Sequence, residues 1–424
     1  MVTMQGSVAY AEIPSENIPQ TCSIFASKDA QMLPDKVQTF QCEQFNRRLF
    51  SPWDRTTPRL RPGISYFIDA FRYGTYYGEN KQPITPATIQ AIIDQMDGAH
   101  FPCVVQRAIT IRVTALRVVP TFRPFYLSFE KAGEGFPFDY AQESGLDANV
   151  PVAVIHYTKD KSWALVETGE LTGWVPCQDL ARVSRTQARI YKSKKLGVVV
   201  RDNVPLHDRH GNYTGVLKIG MVLPTDFTGK HPVVLIAKRQ DNGAAFFEWI
   251  GCSTNAVVPQ PLPLSSRNLA MIADRMMGQN YGWGDLFGDR DCASLVQDLY
   301  VPFGIWLPRN GNDQGQFGGT YFSLKDLGSD QKEQFILANG IPFGTLLWLK
   351  GHIMVYAGKY NGRALVFHNI WGIRTKLDGK EGRFVIGKAV LTTLTPSRVV
   401  PNADPSGDLL SRVESMTVLV PKFY

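Results

Sequence analysis

Two runs of short β-strand patterns, between residues 105 and 258, constrain the fold of this chain more than any other feature. Each run consists of β-branched and aromatic segments separated by Gly, Pro, Asn and Asp, which is typical of small antiparallel sheets and barrels. Each opens with an Arg-containing strand followed by Pro, and each places a tryptophan, Trp163 or Trp249, in a late strand. This recurrence predicts two copies of one small β-barrel, at 105–185 and 186–258. For the second run, an unrelated β-barrel is the alternative.

The length of the chain requires further domains on both sides of these runs. At 424 residues it exceeds the size at which a single hydrophobic core stops growing. Prolines at positions 259, 261 and 263 interrupt helix and strand and mark a boundary. We therefore predict an N-terminal accessory helical region at 1–104 and a C-terminal domain at 265–424. In the accessory region, one helix is predicted to begin at the cap Thr85 and to close at a left-handed Gly98.

Composition excludes several classes of protein. The 45 basic and 38 acidic residues give a net charge of +7 without a Lys/Arg block, so a dedicated nucleic-acid binder is not expected. No stretch approaches the roughly 18 apolar residues of a transmembrane helix. The first twenty residues lack the basic and apolar segments of a secretory signal, which leaves a cytoplasmic protein or a processed one. The six cysteines form no CxxC pair, which excludes a zinc ribbon or disulfide scaffold; a bridge between Cys22 and Cys42 stays open.

One cysteine stands at a position that suits a nucleophile. Cys292 follows Asp291, a suitable helix cap, and apolar residues at 295, 296, 299 and 303 share one helical face with it. In the first turn of a helix, unpaired amides and the helix dipole favour a thiolate over a thiol. The alternative interpretation is a small buried apolar residue.

Two histidines complete a candidate triad. His352 follows Lys350-Gly351 in a turn between two strands, and His368 ends the strand after the Asn361-Gly362 hairpin turn. Histidines on adjacent strands can face one side of a sheet, which makes Cys292 the predicted nucleophile, His352 the base and His368 the group that holds the imidazole in one tautomer. Alternatively, both histidines are structural. His207 and His210 lie in a turn with no third ligand nearby, so no metal site is predicted.

The C-terminal motifs, in their residues and in their order, resemble those of the NlpC/P60 family of papain-like cysteine peptidases over about residues 265 to 400. The matching segments are Tyr281-Gly-Trp283-Gly284, Asp291-Cys292, Leu295-Val296, Gly304-Ile-Trp-Leu307-Pro308-Arg309, Gln314, Gly351-His352-Ile-Met-Val-Tyr356-Ala-Gly358 and Val366-Phe-His368. Departures are Asp285 for the second glycine after Trp283, Ala293-Ser294 for Ser-Gly, and Thr345 for Asp. The first barrel, which ends in Gly173-Trp174-Val175, is similar to bacterial SH3 domains.

These resemblances imply a papain-like α+β domain that hydrolyses the amide between γ-D-glutamate and a diamino acid such as diaminopimelate in peptidoglycan stem peptides. Cys292, His352 and His368 would form the triad, with Tyr281, Trp283, Asp291 and Ser294 near the substrate or oxyanion. The chemistry requires no metal or organic cofactor. We expect a monomer that acts on peptidoglycan in the cell envelope or outside the cell, or on released stem peptides in the cytoplasm.

Two other functions remain open at this stage. A peptidoglycan-binding protein with a decayed catalytic domain would keep the barrels and lose the triad, and a cysteine acyltransferase of the same superfold would use the triad on another acyl donor. The chain order, with Cys292 before both histidines, favours the hydrolase. The insertion at 136–144 in the first barrel, in which aromatic and polar residues alternate, is expected to help line the substrate site.

Overall fold

A computed structural model describes residues 17–26, 31–59, 69, 71 and 74–419. The first sixteen residues, in which a secretory signal was sought, lie outside this part. None of the helices in the described part of the chain combines the length and apolarity that crossing a bilayer requires.

In the described part of the N-terminal region, helix α1 spans Asp35–Phe50 and helix α2 spans Pro86–Gln95. The predicted cap is confirmed, since the Thr85 side chain accepts from the Thr88 amide. The predicted closure at Gly98 is wrong: Asp97 takes the left-handed conformation, with φ 52°, and Gly98 begins a short 3₁₀ turn. Asp tolerates this region better than most residues because its short polar side chain bonds locally. Cys22 and Cys42 are buried free thiols.

The first barrel is a seven-stranded antiparallel sheet in the order β3-β2-β6-β5-β4-β1-β7. Alternate side chains of its central strands form the barrel core, whereas the side chains between them are buried in a second cluster with Met96 of the N-terminal region. Its strands are β1 (Gln106–Thr110), β2 (Thr114–Arg117), β3 (Gln142–Leu146), β4 (Pro151–Tyr157), β5 (Trp163–Glu167), β6 (Thr172–Pro176) and β7 (Leu180–Arg182).

Helix α3 (Arg185–Lys192) connects this barrel to the second one. The second barrel has a five-stranded sheet in the order β13-β12-β11-β8-β14 and a two-stranded ribbon of β9 and β10. Its strands are β8 (Leu196–Val199), β9 (Val204–His207), β10 (Tyr213–Leu217), β11 (Val222–Asp226), β12 (Val233–Arg239), β13 (Ala245–Gly251) and β14 (Val257–Pro259).

The C-terminal domain packs helices against a six-stranded antiparallel sheet in the order β15-β20-β16-β17-β18-β19. The helices are α4 (Ser266–Met276), α5 (Cys292–Tyr300), α6 (Gly311–Gln314), α7 (Ser329–Asn339) and α8 (Leu409–Arg412). The strands are β15 (Thr320–Ser323), β16 (Thr345–Leu349), β17 (His352–Tyr360), β18 (Arg363–Leu377), β19 (Lys380–Thr393) and β20 (Ser415–Val418). The multidomain architecture expected from the sequence, with a helical N-terminal region, two β-barrels and a C-terminal α+β domain, is confirmed.

Helix α5 is held on the sheet by its apolar face. Leu295, Val296 and Leu299 are fully buried in one cluster with Val355 of β17 and Phe367 of β18. Each such side chain contributes about 1.5–3 kcal/mol by leaving water. The apolar periodicity of α5 therefore fixes which face of the helix packs on the sheet.

The accessory region joins the other parts of the molecule. The indole nitrogen of Trp53 donates to the carbonyl of Ala108 in the first barrel, at 2.7 Å. The amide of Gln38, in α1, donates to the carbonyls of Leu262 and Phe303 at 2.7 and 3.0 Å. The accessory region is thus hydrogen bonded to both the first barrel and the C-terminal domain.

Candidate active site

Cys292 is the first residue of α5, and Asp291 caps the helix. One Asp291 oxygen accepts from the amides of Ala293 and Ser294 at 2.9 and 2.8 Å, and the Ser294 hydroxyl accepts from the Asp291 amide at 2.9 Å. This reciprocal capping box satisfies donors that a helix N-terminus otherwise leaves unpaired. The buried Ser294 hydroxyl is therefore occupied within the cap, and the thiol is held in the first turn as the sequence predicted.

Two histidines on neighbouring strands form a hydrogen-bonded pair. His352 is the first residue of β17 rather than a turn residue, and its Nε2 lies 2.8 Å from Nδ1 of His368 in β18. Nε2 of His368 lies 3.0 Å from the hydroxyl of Thr392 in β19. His368 is fully buried, so it contacts the first imidazole rather than solvent or a ligand.

Cys292 and His352 line the same cleft, of about 700 Å³. Both side chains are only partly buried, so a ligand in the cleft can reach them. Tyr140, Gln142 and Glu143, from the insertion at 136–144 of the first barrel, also line this cleft. The cleft thus lies between two domains, a place where small-molecule and peptide sites often occur.

The electrostatics of the pair differ from the sequence-based expectation. Burial, reinforced by the neighbouring Asp291 carboxylate, raises the pKa of the Cys292 thiol to about 12. Hydrogen bonds from the backbone amides of Ile353 and Ala293 oppose that shift without reversing it. Burial, with a smaller effect from Arg412, lowers the pKa of His352 to about 3. Desolvation penalises both charged forms, so the resting pair is a neutral thiol and a neutral imidazole rather than a thiolate and an imidazolium.

Arg309 joins this helix N-terminus to the first barrel. Its guanidinium donates to both oxygens of Asp291, at 3.2 and 2.7 Å, and to the Ser144 hydroxyl at 2.9 Å. It also lies 3.4 Å from the carboxylate of Asp285, which accepts from the same Ser144 hydroxyl at 3.2 Å. Asp285 has φ 61°, a left-handed conformation that favours glycine. These bonds give a physical reason for an aspartate at this position.

Arg290 joins the same helix N-terminus to the second barrel. Its guanidinium is only 2% exposed and donates to both oxygens of Asp202, at 2.9 and 3.0 Å. It also donates to Asp298 of α5 at 2.6 Å and to the carbonyl of Ile219 at 2.8 Å. The start of α5 is thus joined to the first barrel through Arg309 and to the second barrel through Arg290.

Aromatic rings connect the insertion of the first barrel to the site. The Trp283 indole nitrogen donates to the Asp139 carbonyl at 3.1 Å, and its ring packs on Phe138 with centroids 5.2 Å apart. Tyr281 packs on Trp371 at 5.9 Å, which in turn contacts Phe138. Trp283 lines the cleft, whereas the Tyr281 hydroxyl is largely enclosed and its pKa is raised by burial and by the nearby Cys292 and Asp291.

Several residues of the site carried little sequence signal. Arg309 and Gln314 were visible only as letters of a family motif, although Gln314 is buried and donates to the carbonyls of Ala293 and Pro308 at 2.8 and 2.7 Å. Thr392 carried no signal, since it lies in a run of threonines. Alternation along β19, which predicts an inward-facing hydroxyl opposite a histidine strand, would have been the clue to it.

The sequence of the C-terminal domain matches a family model. Residues 278–373 match the model of the NlpC/P60 family. This chain carries an NlpC/P60 domain. Residues 10–101 match the N-terminal NLPC_P60 stabilising domain, 124–176 an SH3 domain of the SH3b1 type, and 184–228 an SH3 domain of the SH3b2 type. The second barrel, for which an unrelated barrel was the alternative, is therefore also of the SH3 type. No curated protein matches the chain.

One solved structure shows the same fold over almost the whole chain. A structure described as a novel NlpC/P60 endopeptidase from Photobacterium damselae subsp. piscicida has a TM-score of 0.85, with 24% identity over 95% of this chain and 97% of that one. An NlpC/P60 family protein from Bacillus cereus ATCC 10987 has a TM-score of 0.49, with 14% identity over 74% of this chain and 100% of that one. The first of these shows that the fold of this chain also occurs in another protein.

Proposed function

We propose that this NlpC/P60 protein is a cysteine endopeptidase that hydrolyses the amide between γ-D-glutamate and a diamino acid in peptidoglycan stem peptides. The observation that carries the proposal is the cleft that both Cys292 and His352 line, with His352 hydrogen bonded to His368. The family match supports a peptidase, and the peptidoglycan bond rests on the family resemblance.

The proposed reaction begins from the neutral pair. His352 takes the thiol proton as Cys292 attacks the scissile carbonyl, so that charge forms only when substrate is present. The tetrahedral oxyanion faces the N-terminus of α5, where the Cys292 amide is the expected donor. One such bond typically contributes about 2.7–4 kcal/mol to the transition state. Collapse expels the amine with the proton from His352, and water activated by His352 then hydrolyses the thioester.

The other proposed roles concern binding. Trp283 borders the cleft and is a candidate substrate contact, while Asp291 and Ser294 act by holding the helix start. The Tyr281 hydroxyl lies near Cys292 and is a candidate contact for the substrate or the oxyanion. SH3b domains support binding to peptidoglycan, and we propose a monomer that works in the cell envelope or outside the cell.

The proposal is tested by incubating the purified protein with stem tripeptides and tetrapeptides and with intact wall. New amines of the diamino acid, detected by mass spectrometry, are expected for the wild type and not for Cys292→Ala. A Cys252→Ala variant, which removes a thiol in the second barrel, is the matched control and should cleave normally. Transfer of the acyl group to an added amine instead of water would indicate the acyltransferase. Binding to wall without cleavage of any substrate would reject the peptidase in favour of a binding protein.

A further inference from the structure

The hydrogen-bonded pair of histidines continues into a third strand. The hydroxyl of Thr392 lies 3.0 Å from Nε2 of His368 and also donates to the backbone carbonyl of Thr393 at 2.7 Å. A hydroxyl has a single proton, and a carbonyl oxygen can only accept. Both contacts are hydrogen bonds at the same time only when the Thr392 proton points to the carbonyl and the Thr392 oxygen accepts from His368.

This arrangement sets which atom donates in each hydrogen bond that links Thr392, His368 and His352. Because Nε2 of His368 must donate to Thr392, a neutral His368 carries its proton on Nε2 and leaves Nδ1 as an acceptor. Nε2 of His352, which lies 2.8 Å from that Nδ1, must then carry a proton. In a neutral His352, the remaining nitrogen Nδ1 is unprotonated, which is the state that a base requires.

We propose that Thr392 is a positioning residue that selects the reactive tautomer of His352 by acting through His368. The inference rests on the proposed function only in calling that tautomer reactive, because the direction of the bonds follows from the geometry. Thr392 touches neither the cleft nor the thiol, and it is 3% exposed.

The same direction also suits the charged state that the reaction passes through. After His352 takes a proton it donates from both nitrogens, and Nδ1 of His368 still accepts, so no second proton has to move. If His368 were reversed, its Nδ1–H would face the Nε2–H of the imidazolium, and two donors would oppose each other. The fixed tautomer thus favours the protonated base as well as the free one.

No other described group competes for this role. Among the hydrogen bonds within the described residues, neither imidazole bonds to a carboxylate. Arg412 acts on His352 through its charge, and His352 acts on His368. The Thr392 hydroxyl is the remaining group that bonds to one of the two nitrogens of His368.

The experiment compares Thr392→Val, which keeps the shape and removes the hydroxyl, with Thr392→Ser, which keeps the hydroxyl. Thr345→Val is the matched control, because Thr345 is a fully buried threonine of the same sheet whose hydroxyl accepts from the Ile341 amide. The first readout is the tautomer of each histidine, from nitrogen-15 NMR of histidine-labelled protein, which requires no substrate. The second is kcat/KM on a stem peptide together with the alkylation rate of Cys292 by iodoacetamide.

We expect wild type and Thr392→Ser to show the proton of His368 on Nε2, and Thr392→Val to shift it toward Nδ1. kcat/KM of Thr392→Val should fall by about 10- to 100-fold, as when outer hydrogen bonds of metal-binding histidines are removed, while Thr345→Val stays near wild type. A wild-type protein with His368 protonated on Nδ1 would overturn the proposal even if Thr392→Val did not fold. So would unchanged tautomers and activity in Thr392→Val. If no stem peptide is cleaved by wild type but the tautomers shift, the proposed function fails and the selection of the tautomer by Thr392 stands.

Discussion

The carboxylate of Asp291 is shared between the N-terminus of α5 and the guanidinium of Arg309. One of its oxygens accepts from two backbone amides of the helix, and both accept from Arg309, at 3.2 and 2.7 Å. The arginine thus neutralises a negative charge adjacent to Cys292, and the same side chain reaches Ser144 of the first barrel. Docking of the barrel and the electrostatics of the thiol are therefore linked.

Replacing Arg309 with Gln is predicted to destabilise the protein and to slow reaction of the thiol. Asp291 would lose the guanidinium that it bonds to, and breaking a buried ion pair typically costs about 3–5 kcal/mol. The unbalanced carboxylate would raise the pKa of Cys292 further, so alkylation at pH 8 should slow. Urea denaturation and mass spectrometry of the Cys292 peptide measure the two effects. Arg112→Gln removes an ion pair whose arginine is 62% exposed, and is the control, expected to cost about 0–1 kcal/mol. Equal stability of the two variants would contradict the prediction.

Asp202→Asn should weaken the attachment of the second barrel. Arg290 is 2% exposed and would lose one of its two charged partners, Asp202 and Asp298. We expect a loss of about 3 kcal/mol in unfolding free energy, the lower end of the range for broken buried pairs, because Asp298 remains. The control is Asp54→Asn, whose partner Lys192 binds a carboxylate that is 65% exposed. A change below 1 kcal/mol in chemical denaturation would show that the pair does not hold the barrel.

Activity is predicted to persist at acid pH. Burial lowers the pKa of His352 to about 3 from 6.5, so the neutral base survives as the pH falls and is lost only when its own pKa is approached. Arg412 adds to this shift, so Arg412→Gln should move the acid limb of kcat/KM upward, toward 6.5. Profiles between pH 4 and 8 test both statements, with circular dichroism at each pH to detect unfolding. An acid limb at or above pH 6.5 in the wild type would refute them.

The lowered pKa values of His352 and His368 also predict how the stability of the protein depends on pH. The unfolded chain binds protons at its histidines below about pH 6.5, whereas His352 and His368, with lowered pKa values, remain neutral when folded. Because the unfolded state then binds more protons, the free energy of unfolding falls as the pH drops below 6.5. His368→Asn should flatten this dependence, and denaturation midpoints at pH 7 and pH 5 measure it. An unchanged difference between those midpoints would contradict the prediction.

Gly282→Ala is predicted to disrupt the loop before the nucleophile. A Cβ at position 282 would lie 2.4 Å from the Leu286 carbonyl and 2.7 Å from that of Asp289, both backbone atoms that cannot move independently. We expect loss of most activity, with a smaller effect on the thermal midpoint, because the clash is local. Gly251→Ala, at a position with open space around the added carbon, is the control. Full activity in Gly282→Ala would mean that the loop between 283 and 288 does not place the cleft residues.

The parts of the site that were predictable from the sequence depend on local signals. The cap at Asp291 and the apolar face of α5 require only a few residues of context, and the turn at Asn361 and Gly362, with φ 47° and 82°, places the two histidine strands side by side. Hydrophobic periodicity and turn chemistry are short-range properties, which is why they can be interpreted in one sequence.

The remaining parts depend on contacts between distant segments. Arg290 pairs with Asp202, 88 residues away, and Arg309 with Ser144, 165 residues away. No periodicity relates such partners. The raised pKa of Cys292 could not be foreseen either, because it results from how closely the surrounding chain excludes water, whereas the helix position alone indicates the opposite direction.

Arg290 is bonded to the second barrel and Arg309 to the first. These bonds limit how the domains of such proteins can be exchanged. An NlpC/P60 segment excised at residue 265 would carry Arg290 without Asp202, one of its two charged partners. In a functional chimaera, foreign barrels would need residues equivalent to Asp202 and Ser144 to bond these two arginines. The unit that can be exchanged is therefore larger than the NlpC/P60 segment alone.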